Sequence, residues 1–459
     1  MNKDILIGLL VIAVGGLIGN YFIQRGRTSI SKESTDKIIN NDNKNKEKLL
    51  KGHEKINSEI NKNIKEIEAL KKAVLSNSGN LQKETGFTYE ELKVIAKNVI
   101  EKSNSNIDKG NAFYVLNEYD KAIDKYSEVI KLNPYNSEVY FNRARARFNK
   151  LHNIRISSLL HELYFFPDYR NKVFDLKEVT NEIINDYTKS LELDESSSNA
   201  FFNRGYAYNT IGEYQNAIAD FENAIKIHPE DASYYNGLGI SYSNLTDSTN
   251  NIDIYDTAIK QLEKAISLSP NNAIFWHEYG TIFLRKRDHN KAVKYFSKAL
   301  ELDSTYIYSL HSRATLYRYL NKFSESILDY TLLINLGYYK QDSYFYRGQC
   351  YFAIKDCPSA INDFSKCIEL KKDNINALFS RGVCYAIIEE YILSIKDYNS
   401  ILKLEESSST YTNRGNGYLN LKQYNKALED YNRALEIDPN NLTAKKYKKK
   451  TIERLKEKN

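Results

Sequence analysis

The chain has 459 residues, 27% of them charged, with a net charge of +6 at pH 7. A charge this mild over this length gives no reason to expect a nucleic-acid partner. Its four cysteines, Cys350, Cys357, Cys367 and Cys384, form no C-x-x-C and no paired framework, so they read as small buried hydrophobes rather than a disulfide scaffold or a metal cluster.

Residues 1–27 contain the apolar run Ile5–Ile23. At about 1.5 Å per residue it just spans a hydrocarbon core of ~30 Å. Arg25, Arg27, Lys32 and Lys37 follow it, which places the N-terminus outside and the rest of the chain in the cytoplasm. We expect a single-pass transmembrane anchor. The alternative is an exported protein cut near Ala13-Val14-Gly15. Gly15 and Gly19 form a G-x-x-x-G, which can pair helices in a membrane but also arises by chance.

Residues 28–87 begin with a polar tether, Thr28–Leu49, that has no periodic apolar face. Ile56, Ile60, Asn63, Ile67, Leu70 and Val74 then follow steps of four and three. That spacing fits either a short coiled-coil seam with a buried Asn, and hence a homodimer, or a lone, partly frayed helix. Residues 88–102 form the next helix. Thr88 with Glu91 makes a capping box, Phe87 with Leu92 a hydrophobic staple, and Leu92, Ile95, Ala96 and Val99 one apolar face. This helix is expected to cap the array that follows.

Residues 103–441 are copies of one unit, clearest at Ser408–Asn441. Tyr411, Gly415, Tyr418 and Leu419 mark one face of a first helix, and Tyr424, Ala427, Leu428, Tyr431, Ala434 and Leu435 one face of a second. Pro439 stops the second helix. The Gly415 position recurs at Gly110, Ala144, Gly205, Gly239, Gly280, Ala314, Gly348 and Gly382, mostly at a spacing of about 34 residues. The boundaries are 103–136, 137–197, 198–231, 232–272, 273–306, 307–340, 341–374, 375–407 and 408–441. One helix pair cannot bury its apolar face alone, so stacking completes the core, and the array is one quasi-linear body rather than the three domains that length alone suggests. The period, the small residues and Trp276 resemble the tetratricopeptide repeat family. The resemblance implies an all-α, right-handed superhelical solenoid of about nine helix pairs whose concave groove binds peptides or protein partners.

Two repeats are longer. Around Asn149–Lys177, repeat two carries Leu159, Leu160, Leu163, Tyr164, Phe165 and Phe166. These are too apolar for a solvated loop, and we expect an extra helix folded on its own repeat, or else a docking surface. The second helix of that repeat is expected at Val179–Leu191. Thr246–Ile252 in repeat four is polar and reads as a loop. Residues 442–459 continue as a basic capping helix with Ala444, Tyr447 and Leu455 inward.

The repeats can be compared with one another. Arg143, Arg204, Arg313, Arg347, Arg381 and Arg414 precede the small residue of the first helix. Asp186, Asp220, Asp329, Asp363, Asp397 and Asp430 precede the second-helix aromatic of the same six repeats. Repeats with Lys109, Leu238 or Tyr279 at the first place carry Lys125, Gln261 or Tyr295 at the second. The two residues come and go together, which predicts a structural ion pair inside each of the six repeats.

By the resemblance, the first helices line the groove. Its polar half would offer Asn142, Asn203, Asn209 and Asn236, whose amides both donate and accept and so suit the backbone of an extended peptide. Its other half would offer His277, His311, Tyr319, Phe345, Phe352 and Phe379 to apolar or aromatic anchors. A carboxylate clamp lacks its basic residues, because Ile107, Asn199 and Asn203 stand at those places. No G-x-x-x-x-G-K-[ST], G-x-S-x-G or H-E-x-x-H occurs, and we expect no catalytic, cofactor or metal residues. The expectation is a membrane-anchored, non-enzymatic scaffold. The alternatives are a substrate-recruiting subunit of a separately encoded enzyme, such as a glycosyltransferase, and an import or secretion receptor.

Overall fold

The computed structural model describes residues 58–75, 81–158, 169–249 and 253–458, together with residues 51, 54 and 55. Among these, all regular structure is helical. The chain divides into two units, Met1–Ser103 and Asn104–Asn459.

In the first unit a helix covers residues 58–75 and another Tyr89–Lys102. The capping box forms as its residues predict: Thr88 N–H donates to Glu91 Oε2 at 2.7 Å, and Glu91 N–H to Thr88 Oγ1 at 3.3 Å. Leu92, Ile95, Ala96 and Val99 are buried. The heptad seam is only partly covered. Leu70 and Val74 are buried beside Ala69 and Ala73, whereas Ile60 and Asn63 are exposed. The seam is therefore not one continuous stripe, because its C-terminal half is already covered within this chain and its asparagine faces solvent. Among the described residues no helix is long and apolar enough to cross a membrane. The expected anchor Ile5–Ile23 lies outside the described residues, as do the tether and Leu159–Phe166.

The second unit is a solenoid of nine helix pairs and a closing helix, from Asn106–Val115 with Tyr119–Leu132 to Ser408–Asn420 with Tyr424–Ile437. First helices start on side-chain caps, among them Ser105, Ser197, Asn272, Asn374 and Ser407. The turn to the second helix runs through one left-handed residue. It is glycine in repeat three (Gly212), but Asn117, Arg287, Asn321, Lys355, Glu389 and Lys422 take the same conformation elsewhere. Each second helix sends one large side chain under its partner. Tyr126, Tyr187, Phe221, Leu262, Phe296, Tyr330, Phe364, Tyr398 and Tyr431 are all essentially inaccessible to solvent. Each contributes on the order of 2–3 kcal/mol by burial. The small first-helix residue makes room: a Cβ on Gly348 would stand 2.8 Å from Phe364 Cε1. The four cysteines are free and buried in this core.

All six Arg–Asp pairs form, each with Nε to Oδ2 and Nη2 to Oδ1 between 2.6 and 2.9 Å. A third contact was not anticipated. The free Nη1 reaches back to the preceding repeat, onto Ser127, Thr188, Ser297, Thr331, Ser365 or Asn399. One guanidinium thus joins three helices. Repeat five replaces the ion pair by rings: Tyr279 and Tyr295 lie 4.6 Å apart, and the Tyr279 hydroxyl donates to Glu263 of repeat four.

The insertions correct two expectations. In repeat two the first helix runs to Ser158 and the second starts at Tyr169. The described part of the insertion lengthens both helices, and the second helix starts ten residues before Val179. In repeat four the first helix runs on to Thr249, with the Thr246 and Thr249 hydroxyls donating to carbonyls one turn back and the Tyr255 hydroxyl of the second helix donating to Asp247 Oδ1 at 2.5 Å. Only the end of Thr246–Ile252 can be a loop. The closing helix Leu442–Lys458 buries Ala444 and Thr451, with Tyr447 against the last repeat core.

Candidate functional site

Consecutive first helices touch one another along most of the array, while second helices of neighbouring repeats stay further apart. The more closely spaced row is the inner one, so the first helices line the concave side.

Polar side chains link this row from repeat to repeat. Asn142 Nδ2 donates to Asn111 Oδ1 at 3.2 Å, and Asn209 Nδ2 to Ser241 Oγ at 2.9 Å. Arg285 donates to Ser243 Oγ and Asn244 Oδ1 and pairs with Asp247 at 3.1 Å. His277 Nδ1 meets Ser309 Oγ at 3.0 Å, and Arg318 reaches Gln349 Oε1. Three buried acceptors on this face have no donor among the described residues: the Oδ1 atoms of Asn142, Asn209 and Asn236. The fourth predicted asparagine, Asn203, returns its amide to its own helix at Asn199 O, 2.7 Å away. It belongs to the row without offering an obvious orphan.

The aromatic half divides. Tyr319, 69% exposed, and Phe352 stand open to solvent, Tyr319 with its ring against His289. His277 and His311 are both pushed below the ordinary imidazole range by burial, His277 to about 4, so both are neutral at pH 7. Phe345 and Phe379 are half-buried and also pack against the repeat cores. Phe345 packs on Phe364 in the core of repeat seven, and Phe379 on Tyr398 in repeat eight, with ring centroids 5.9 and 5.8 Å apart.

The most perturbed group on the inner face is Glu278, one residue before Tyr279. That is the place held by Asn142 and Asn203 in their repeats, so counting register along the repeats would have found it. Burial lifts its carboxyl to about 7, with Arg285 opposing. Its charge reaches across repeats: with burial as the main cause, it helps to raise Tyr206 of repeat three to about 12 and pushes up Tyr306, ahead of repeat six. The Asn236 amide bonds to the same Tyr206 hydroxyl and works the other way. Tyr206, Asn236, Glu278 and Tyr306 thus form one cluster drawn from repeats three to five. Its chemistry is that of hydrogen-bond acceptors and one carboxylate, and among the described residues no group of acidic, histidine or cysteine side chains has the arrangement of a metal site.

Stacked helix pairs with a polar inner face define a helical-repeat scaffold. Tetratricopeptide repeat profiles match residues 198–231, 408–441 and 253–307, and a TPR repeat profile matches 110–150. The chain belongs to the tetratricopeptide repeat family. It is similar to a TPR repeat-containing protein of Methanocaldococcus jannaschii, 27% identical over 29% of this chain and 26% of that protein. It is also similar to the human serine/threonine-protein phosphatase 5, 30% identical over 27% of this chain and 19% of that one. The matched stretch is thus about a quarter or less of these relatives' own lengths. Among solved structures, the C-terminal part of a TPR repeat-containing protein from Cytophaga hutchinsonii aligns at 18% identity over 53% of this chain and 97% of that one, with a TM-score of 0.44.

Proposed function

We propose that this protein is a non-enzymatic scaffold that holds an extended peptide segment of a protein partner along the inner face of its first helices. The observation that carries this is the set of three buried asparagine acceptors, on Asn142, Asn209 and Asn236, left without donors on one face. A buried acceptor left unpaired costs on the order of 1–3 kcal/mol, and an amide turned outward into the groove could take a backbone N–H of an extended peptide whatever the peptide's side chains. Family membership supports the same reading.

The test compares the full chain with an Asn142→Ala, Asn209→Ala, Asn236→Ala variant in selection from a displayed random-peptide library. Peptides retained by the wild type and lost by the variant support the groove. Identical selections from both overturn it. The anchor Ile5–Ile23 is part of the proposal, with the array on the cytoplasmic side. Release of the protein from membranes by alkaline carbonate would refute that part alone.

A further inference from the structure

Resting on the groove reading above, we infer that the inner face around Glu278 is a cation subsite that takes one lysine or arginine side chain, or the terminal ammonium, of the bound peptide. Four observations lead there. Glu278 keeps part of its surface accessible yet makes no hydrogen bond or ion pair among the described residues. The one basic group whose charge acts on it, Arg285, is already committed to Ser243, Asn244 and Asp247. The imidazole of the adjacent His277 is neutral, as is that of His311, so among the described residues no uncommitted cation is seen to meet the carboxylate. Asn236, 3% exposed and on the neighbouring first helix, adds an orphaned acceptor. Inside a partly desolvated groove the attraction of a cation to such a carboxylate is stronger than at an open surface. A peptide ammonium or guanidinium supplies both the missing charge and the missing donors. An acidic or wholly apolar segment would leave Glu278 unpaired.

The experiment is the same random-peptide selection on the full chain, run in parallel on Glu278→Gln, which keeps the shape and removes the charge. We expect groove-dependent peptides from the wild type to share a lysine or arginine at one fixed position, or a free amino terminus. Glu278→Gln should still bind them, but about tenfold more weakly, and should lose the basic preference. A Glu278→Lys chain should select aspartate or glutamate at that position. Groove-dependent peptides with no basic preference would overturn the cation subsite while leaving the groove intact. Peptides bound equally by the triple asparagine variant would overturn the groove reading, and this inference with it.

Discussion

Arg347 grips Asp363 through two parallel hydrogen bonds, Nε to Oδ2 at 2.8 Å and Nη2 to Oδ1 at 2.7 Å, while its Nη1 donates to Thr331 Oγ1 of the preceding repeat at 2.8 Å. Asp363 is 1% exposed, so losing the charge strands a buried guanidinium. Asp363→Asn should destabilise the array by about 3 kcal/mol, the scale for breaking a buried pair. Thr331→Val removes the bond between repeats together with the hydroxyl's own bond to Ile327 O, and should cost about 1–2 kcal/mol. Urea melts of both variants check this; a melting curve for Asp363→Asn that superposes on the wild type would refute the buried pair.

Gly237 of repeat four lies against Phe221 of repeat three, where an added Cβ would come within 2.5 Å of Cε1. Phe221 is fully buried and cannot retreat into solvent. Gly237→Ala should therefore destabilise by about 1–2 kcal/mol, overpacking outweighing the gain of about 1 kcal/mol in helix propensity. A rise in Tm would contradict the close approach of these two repeats.

Glu389 closes its turn at φ 65°, a conformation that crowds any Cβ. Its side chain is exposed, so nothing is lost in replacing it. Glu389→Gly should stabilise by about 0.5–1 kcal/mol, the release of left-handed strain less the entropy of glycine in the unfolded chain. Differential scanning calorimetry resolves a change of that size.

Stability should depend on pH through two neighbours with opposite signs. Glu278 is raised from 4.5 to about 7, so the folded chain holds the proton more tightly and stability falls as pH rises through that window. His277 is lowered from 6.5 to about 4, so its neutral form is favoured by folding and stability falls as pH drops from 6.5 to 4. The two slopes oppose each other between 4.5 and 6.5, and above 6.5 only the Glu278 slope remains. Glu278→Gln should exceed the wild type by about 2–3 kcal/mol at pH 8 and match it below pH 4.5. Equal stability of the two proteins at pH 8 would show that the carboxylate is well solvated.

Phe345 and Tyr319 separate core from surface. Phe345→Ala should cost about 2–3 kcal/mol as the truncation of a half-buried aromatic packed on Phe364, and Tyr319→Ala less than about 0.5 kcal/mol. Near-equal costs in urea melts would contradict the packing of Phe345 on the core.

Much of this architecture can be read from one sequence, because a repeated unit is its own alignment. The Arg–Asp pairing was legible because both residues vanish together in the repeats with Lys109, Leu238 and Tyr279. The hydroxyls that complete it were legible too, since Ser127, Thr188, Ser297, Thr331 and Ser365 each follow the second-helix aromatic of the preceding repeat. Register alone also places Glu278 with Asn142 and Asn203.

What periodicity could not supply was the local environment. Asn203 and Asn142 share a register position, yet one turns its amide back to its own helix and the other is buried against Asn111 with an orphaned oxygen. Phe345 is a groove candidate by register, and its ring also packs on Phe364, a contact that spacing does not reveal. The sequence by itself determined the helix pairs, their order and the six ion pairs, since these follow from spacing within and between adjacent units. The orientation of individual first-helix residues and the lift of a carboxyl such as Glu278 came from the folded array alone, because burial and field at that point come from side chains of repeats three to five brought together by stacking.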